Sequence, residues 1–426
     1  MPGILMQRTL HPVGQGAFYT EQFISGDKEI LCNIVYDCGS KNYNALKTAI
    51  NKMFPKEKAE IDILFLSHFH DDHVNGVAYL GSRVKQIKCV VMPLLQPSQI
   101  VMAFLSCNID LFNIHTFKDD RKIKKIVFID RAGTSSTGVE PSSRNQRPNL
   151  NNINSQAGGV INIEDLQDLE IVSSGTPLGL DRLPKRKLTH EWTYIPFNIF
   201  NESEYDKFKK YLESKDSNLA EKLKKLIGSC NLGNMYGIKS TGLLSDWNEI
   251  KERLKNIYNR YIKRSKKYSD FNDSSMIVYS GPINNNTDLR RKGWTLESIM
   301  TRGTLLKFTN KEEKRDRLVA VLFTGDISLN KNVGSLKVYE YIHEELKDYV
   351  VNLGLIQVPH HGSKHNFNTG LMATFPKTDC YFYSFGIGNS YRHPFPGVRM
   401  WLQYEGKIVF EITEAKETML IQIIEN

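Results

Sequence analysis

The chain has 426 residues, 40% hydrophobic and 24% charged, with a formal net charge of +9. This is the balance of an ordinary globular protein of two or three domains. No apolar run approaches the roughly 18 to 20 residues that span a bilayer, and the N-terminus carries no secretory pattern. The six cysteines form no CxxC pair, so reduced thiols in a cytoplasmic protein without a membrane partner are expected.

In chain order, "ILCNIVYDCGS" (residues 30–40) reads as a buried strand, "YNALKTAINKMF" (43–54) as a helix, and "IDILFLSH" (61–68) and "IKCVVMPLL" (87–95) as further buried strands. That rhythm predicts an α/β layered fold. From Arg131 to Gly159 the chain turns rich in Ser, Asn, Gly and Pro, the composition of a loop. Residues 162–200 return to short strand-like runs, and 203–268 are charged and helical in pattern. Strand-like runs resume at "SSMIVYSGP", "GTLLKFTN" and "RLVAVLFTGD", a helix follows near residues 336–347, and "LIQVPHHGS", "DCYFYSFG", "KIVFEIT" and "TMLIQII" end the chain. No repeat of fixed period is present. The expected organisation is an α/β core in two halves, 1–130 and 271–426, interrupted by a basic, mostly helical insertion within 131–270.

The densest chemistry lies in "LFLSHFHDDHVNGV". His68 and His70 leave a strand two positions apart, and Asp72 and His73 follow in a tight turn that Gly76 allows to bend into a helix. Three imidazoles and a carboxylate form a donor set for Zn²⁺, Mn²⁺ or Fe²⁺. A merely His-rich surface turn would rarely place four such residues directly after a buried strand. One ion does not use all four, so two are expected, with His68 and His70 on one and Asp72 and His73 on the other. Three further strand exits offer partners: Asp326 in "VAVLFTGD", His360 and His361 in "VPHHGS", and His393 in "GNSYRHP". Each belongs on one edge of a sheet if a common site is built there.

The ordered set HxHxDH, TGD, HHGS, YxHP resembles the metallo-β-lactamase superfamily. It looks most like the soluble hydrolase domain attached to bacterial competence DNA-uptake channels, and its phosphorylcholine esterase relatives. "HPVGQGAF" resembles that branch's opening strand, with Ala17 where an Asp is usual, and "IVYDCGS" its second. The resemblance spans roughly residues 8–95 and 270–424. It implies an αββα sandwich of two mixed sheets flanked by helices, and metal-dependent hydrolysis with two divalent ions, Zn or Mn. It implies metal ligands at His68, His70, Asp72, His73, Asp326 (bridging) and His393 (distal), with Asp72 also orienting the nucleophile. Asp37 is implied as the carboxylate that orients a ligand His. His360 or His361 contacts the scissile phosphate or protonates the leaving group, or one of them is a ligand instead. The family often has another His before the TGD strand, but here Asn272 and Asp273 stand in that region. His190 is a remote candidate. Ser363 and Asn389 are either hydrogen-bond donors to the site or turn residues.

Between Lys207 and Tyr268 stand 16 Lys and Arg against 6 Asp and Glu, so this segment carries the charge excess. Interleaved with Tyr205, Tyr211, Tyr236, Trp247, Tyr258, Tyr261 and Tyr268, it suits a polyanion. Lys263, Arg264, Lys266 and Lys267 are its densest cluster. The same pattern also describes solvated amphipathic helices whose tyrosines form a small core. The expectation is a nuclease or phosphodiesterase acting on DNA or RNA, held in check by a regulatory partner and serving anti-phage defence. The alternatives are hydrolysis of a small phosphodiester, lactone or amide, and a catalytically inactive binding protein.

Overall fold

The computed structural model describes residues 4–55, 58–107, 122–132, 161–165, 168–180, 192–199, 203–230, 241–265, 275–282, 295–302, 304–307 and 319–426. Among the described residues the first sheet has ten strands, in the order Thr304–Lys307, Thr295–Thr301, Leu420–Glu425, Leu5–Leu10, Gly16–Ile24, Ile30–Ser40, Glu60–Phe65, Gln86–Pro93, Ile123–Ile129 and Leu169–Val172. The second has eight: Ile408–Ile412, Cys380–Ser384, Leu353–Gln357, Ala320–Phe323, Met276–Pro282, Trp192–Asn198, Leu178–Gly179 and Ile161–Asn162. Both sheets are mixed. The strands from Ile30–Ser40 to Leu169–Val172 run parallel, as do those from Ala320–Phe323 to Ile408–Ile412.

Strands covered on both faces read as continuous apolar runs, and here the alternation of side chains decides which layer each fills. Val90, Met92, Ile126 and Phe128 face helices on the outer side of the first sheet. Cys89, Val91, Val127 and Ile129 face the second sheet. On the second sheet's outer side, Ile277, Leu322 and Ile356 pack with Val338, Ile342, Leu371 and Leu402 of three helices. The layers are therefore helix, sheet, sheet, helix, the αββα sandwich. A buried ion pair helps fix the two sheets together. Arg8 Nε donates to Glu21 Oε1 at 2.7 Å, and Glu21 Oε2 accepts from Tyr194 in the second sheet at 2.7 Å. Removing one partner would strand the other charge, which costs about 3–5 kcal/mol.

The segment expected as an insertion contributes to the sandwich itself. Its strands Ile161–Asn162, Leu178–Gly179 and Trp192–Asn198 extend the second sheet, and Leu169–Val172 edges the first. The helices Ser203–Lys215, Ser217–Ser229 and Thr241–Ser265 join the outer layer of the first sheet, against the Pro97–Cys107 helix. Asp216 caps the second of them by accepting from Leu219 N at 2.9 Å, and its Leu219, Leu223 and Leu226 point inward at helical spacing. The aromatics expected to stack on bases are mostly packing residues. Trp247 and Tyr258 are buried, Phe104 meets Trp247 edge-on at 5.0 Å, and Tyr205 and Tyr261 pack against the same core. Tyr211 is half-buried against Tyr261. An amphipathic helix buries its large apolar rings first, and these rings form the core beneath the helices. Lys263 is exposed near the end of the last helix and Arg264 follows it. Lys266, Lys267, Tyr236, Tyr268, His190, Asn272, Asp273 and nearly all of the 131–159 loop lie outside the described residues. Among the described residues no helix is long and apolar enough to cross a membrane.

Candidate metal centre

Four strand exits converge. His68 follows Glu60–Phe65, Asp326 follows Ala320–Phe323, His360 and His361 follow Leu353–Gln357, and His393 lies in the loop after Cys380–Ser384. All four strands belong to the parallel sets, so the site sits where α/β sheets present their loops, beyond the carboxyl ends of the strands. Asp72 and His73 lie on the Asp71–Val74 helical turn, with His70 at its N-cap. That turn docks directly on Gly39: a Cβ there would lie 2.4 Å from His73 N. Gly325, at φ +55°, lets the chain turn between the Ala320–Phe323 strand and Asp326, and a Cβ would press on Ser275 Oγ at 2.7 Å. Asp37, His360 and His361 also occupy left-handed backbone, at φ 53°, 50° and 55°. For non-glycine residues such conformations cost on the order of 1–3 kcal/mol each, and they concentrate at functional sites.

The donor atoms fall into two groups, each within 4.8 Å: His68, His73 and Asp326, and Asp72, His73 and His361. His73 Nε2 lies 3.3 Å from Asp326 Oδ1, and His68 Nε2 lies 3.6 Å from Asp326 Oδ2. His361 Nε2 lies 3.7 Å from Asp72 Oδ2 and 3.9 Å from Asp326 Oδ1. Each imidazole is held from behind. His73 Nδ1 donates to Asp37 Oδ2 at 2.7 Å, and His361 Nδ1 donates to the Ser384 carbonyl at 2.8 Å. His68 Nδ1 is 3.0 Å from Ser67 Oγ and 3.1 Å from Ser275 Oγ. Asp37 is itself fixed by Ser67, whose backbone N and Oγ both donate to it at 2.7 Å.

This wiring sets the tautomers. A carboxylate behind His73 Nδ1 and a carbonyl behind His361 Nδ1 hold a proton on each Nδ1 and turn each Nε2 toward the centre. His68 Nε2, His73 Nε2, His361 Nε2 and Asp326 Oδ1 are all buried without a hydrogen-bond partner. Buried polar atoms are ordinarily satisfied, and an orphan costs about 1–3 kcal/mol. Four buried polar atoms without partners, at ion-pair distances from one another, call for positive charge. The titration behaviour reflects the same demand. Burial works to lower the His73 imidazole, but Asp326 and Asp37 outweigh it and hold it well above its ordinary value. Burial, followed by neighbouring His73, pushes His68 well below its ordinary value. Burial would raise Asp72 and Asp326, yet the surrounding histidines hold both below the carboxylate range. A set of imidazole nitrogens and carboxylate oxygens with oriented backs fits a borderline divalent cation.

The grouping differs from the pairing expected from spacing. His73, rather than His70, stands beside His68, because the Asp71–Val74 turn folds back over Gly39 and carries His73 to Asp326. His70 lies at one side, its ring 5.0 Å from that of His68, and outside both groups. Burial holds it down at about 4. His361 belongs to a donor group, whereas His360 lies at the rim. His360 Nδ1 donates to Asn366 Oδ1 at 3.0 Å, and its Nε2 is 3.8 Å from Asp326 Oδ2. His393 is further out, its ring 5.2 Å from His360 and 6.4 Å from His361, outside the two groups. Ser363 Oγ accepts from His365 N, and Asn389 bridges the backbone of His393, so both serve as turn residues. Ser67, Ser275, Asn366 and the Ser384 carbonyl, which hold the site from behind, belong to no metal-ligand motif in the sequence. Ser67 alone had a visible signal, its place next to His68.

No family model matches the chain, and no curated protein matches it. Among solved structures, the metallo-beta-lactamase fold protein YhfI from Bacillus subtilis aligns over 98% of this chain and 99% of its own, at 10% identity and a TM-score of 0.36. Unliganded yeast PDE1 aligns over 99% of each chain, at 9% identity and a TM-score of 0.40. Both superpositions are loose, and the chemistry of the site rests on its own geometry.

Proposed function

We propose that this chain is a metal-dependent hydrolase with a dinuclear centre that cleaves phosphodiester bonds, with DNA or RNA as the substrate class. The observation that carries the reading is the convergence of four buried polar atoms without partners on one centre, each imidazole held from behind. His68, His73 and Asp326 would hold one ion, and Asp72 and His361 face the position of a second. Bound divalent ions supply Lewis acidity toward a phosphoryl oxygen and make water nucleophilic near neutral pH. The chain's own residues do the rest. Asp326, 3.3 Å from His73 and 3.9 Å from His361, links the two groups. Asp72, with one oxygen toward His361 and the other 4.0 Å from Lys41 Nζ, orients the attacking water. His360, at the rim and steadied by Asn366, hands a proton to the leaving oxygen. The motif resemblance to the competence-associated branch supports the phosphodiester class.

The burial of the insertion's aromatics favours a second reading, a small phosphodiester rather than a polymer. One experiment separates them: hydrolysis of single-stranded DNA, duplex DNA, RNA and bis-p-nitrophenyl phosphate by the purified chain with Mn²⁺ or Zn²⁺. Polymer cleavage that falls to background in Asp326→Ala supports the nuclease reading. Cleavage of the small diester alone supports the second. If wild type and Asp326→Ala hydrolyse equally, or no substrate is cleaved by metal-loaded protein, the hydrolase assignment fails.

A further inference from the structure

We propose that the cleft beside the metal centre is a nucleotide subsite, in which a base stacks on Tyr43 and Tyr391 while Lys41 faces the adjoining phosphate. The proposal rests on the hydrolase reading above and names the substrate class of that site. The cleft measures about 710 Å³ and its walls include Lys41, Asn42, Tyr43, Ser390 and Tyr391. That is within the roughly 300–1,000 Å³ typical of small-ligand sites.

Two contacts join it to the centre. Lys41 Nζ lies 4.0 Å from Asp72 Oδ1, and its side chain is 45% exposed, so the ammonium is available to an incoming anion. Its root is fixed because Lys41 N donates to the Gln15 carbonyl at 2.8 Å. The Tyr391 ring, also lining the cleft, lies nearly parallel to His393 at 6.0 Å, and His393 leads to His360 at 5.2 Å. A row of rings thus runs from the cleft to the leaving-group side of the centre.

The composition of the walls selects the ligand. Tyr43 and Tyr391 are 38% and 43% exposed, large rings that the core does not need. Lys47 Nζ stands 4.7 Å over the Tyr43 ring and adds positive charge to that wall. The loop bearing Tyr391 is held in place, since Ile387 N donates to Glu414 Oε2 at 3.1 Å and Asn389 bridges the His393 backbone. A flat ring offers its π-face to any base, and an ammonium next to the catalytic carboxylates meets a phosphate. A lactone or simple amide would use neither feature.

The test compares two diesters with one leaving group: thymidine 5′-(p-nitrophenyl phosphate) and methyl p-nitrophenyl phosphate, with Mn²⁺-loaded full chain. Wild type prefers the thymidine ester in kcat/KM. Tyr43→Ala and Tyr391→Ala each reduce that preference about tenfold, and Tyr43→Phe and Tyr391→Phe restore it, since the ring face rather than the hydroxyl does the binding. An unaltered preference in both Ala variants overturns the subsite. Calorimetric binding of thymidine 5′-monophosphate reads the cleft without turnover. Binding that weakens about tenfold in Tyr391→Ala, in a chain that hydrolyses nothing, supports the subsite while the hydrolase reading fails. Equal binding by wild type and Tyr391→Ala, or none by wild type, overturns the subsite whatever the hydrolysis shows.

Discussion

Asp37 lies 36 positions before His73 in sequence, yet its Oδ2 is 2.7 Å from His73 Nδ1. Fully buried and in left-handed backbone, it accepts from Ser67 twice and from His73 once. Groups that orient a ligand imidazole typically govern metal affinity by about 10- to 100-fold. Asp37→Asn keeps the volume but loses the charge, so Mn²⁺ affinity by calorimetry falls by about that factor while the far-ultraviolet circular dichroism is retained. Wild-type affinity in this variant would remove the orienting role. Proton and cation also compete for His73. Its raised pKa stabilises the metal-free fold at pH below the ordinary histidine value, and that contribution is lost as pH rises through the raised value. Cation affinity moves oppositely, increasing with pH as the proton becomes easier to displace. Calorimetry in buffers of different ionisation heat therefore detects about one proton released on metal binding near neutral pH, and a value of zero would show that His73 is already neutral. The candidate ligands were legible in the sequence because four of them crowd into six positions. Their partnership was not: which imidazole stands beside His68 depends on how the next turn folds, and spacing along the chain says nothing of that.

At the scale of elements, the Asp71–Val74 turn is positioned by what it rests on. Gly39 leaves no room for a methyl group, its Cβ position lying 2.4 Å from His73 N. Gly39→Ala shifts the turn away from Asp326, with an overpacking cost of about 1–3 kcal/mol. Metal affinity falls more than global stability does, a difference seen by pairing calorimetry with urea unfolding. Equal losses would mean that the glycine serves the fold alone. The parallel strands were legible as unbroken apolar runs, because both of their faces are covered. The short strands at Ile161–Asn162 and Leu178–Gly179 complete the second sheet with two residues each, too few to show a period. Their membership of the sandwich is set by long-range pairing, which is why the chain between the two halves reads as an insertion rather than as sheet edge.

Among the described residues, the helices Ser203–Lys215, Ser217–Ser229 and Thr241–Ser265 form a layer rich in Lys and Arg. The basic helices are sealed to the first sheet through Trp247, Phe104 and Tyr258 rather than hinged as a separate arm. Trp247→Ala consequently destabilises the whole chain by about 3–5 kcal/mol, in one cooperative urea transition; a separate early transition would mark the helices as an independent unit. With its rings committed to packing, this layer offers a polyanion charge but little stacking. Part of that charge is matched locally, by ion pairs of Lys222 with Glu249 and Arg253 with Asp216. If nucleic acid is the substrate, as proposed, such a surface would bind it through counterion release, without sequence preference and with steep dependence on salt. Lys263 and Arg264, with the neighbouring Lys266 and Lys267, are the charges to neutralise. In the quadruple Gln variant the slope of log affinity against log salt flattens by about 0.9 for each duplex phosphate no longer neutralised by a side chain. Cleavage of thymidine 5′-(p-nitrophenyl phosphate) stays at the wild-type rate, because that ester reaches only the cleft. If the salt slope is unaltered, the basic layer does not hold the polymer, and recognition falls to the cleft of Lys41, Tyr43 and Tyr391, which then confines the enzyme to short or single nucleotide diesters.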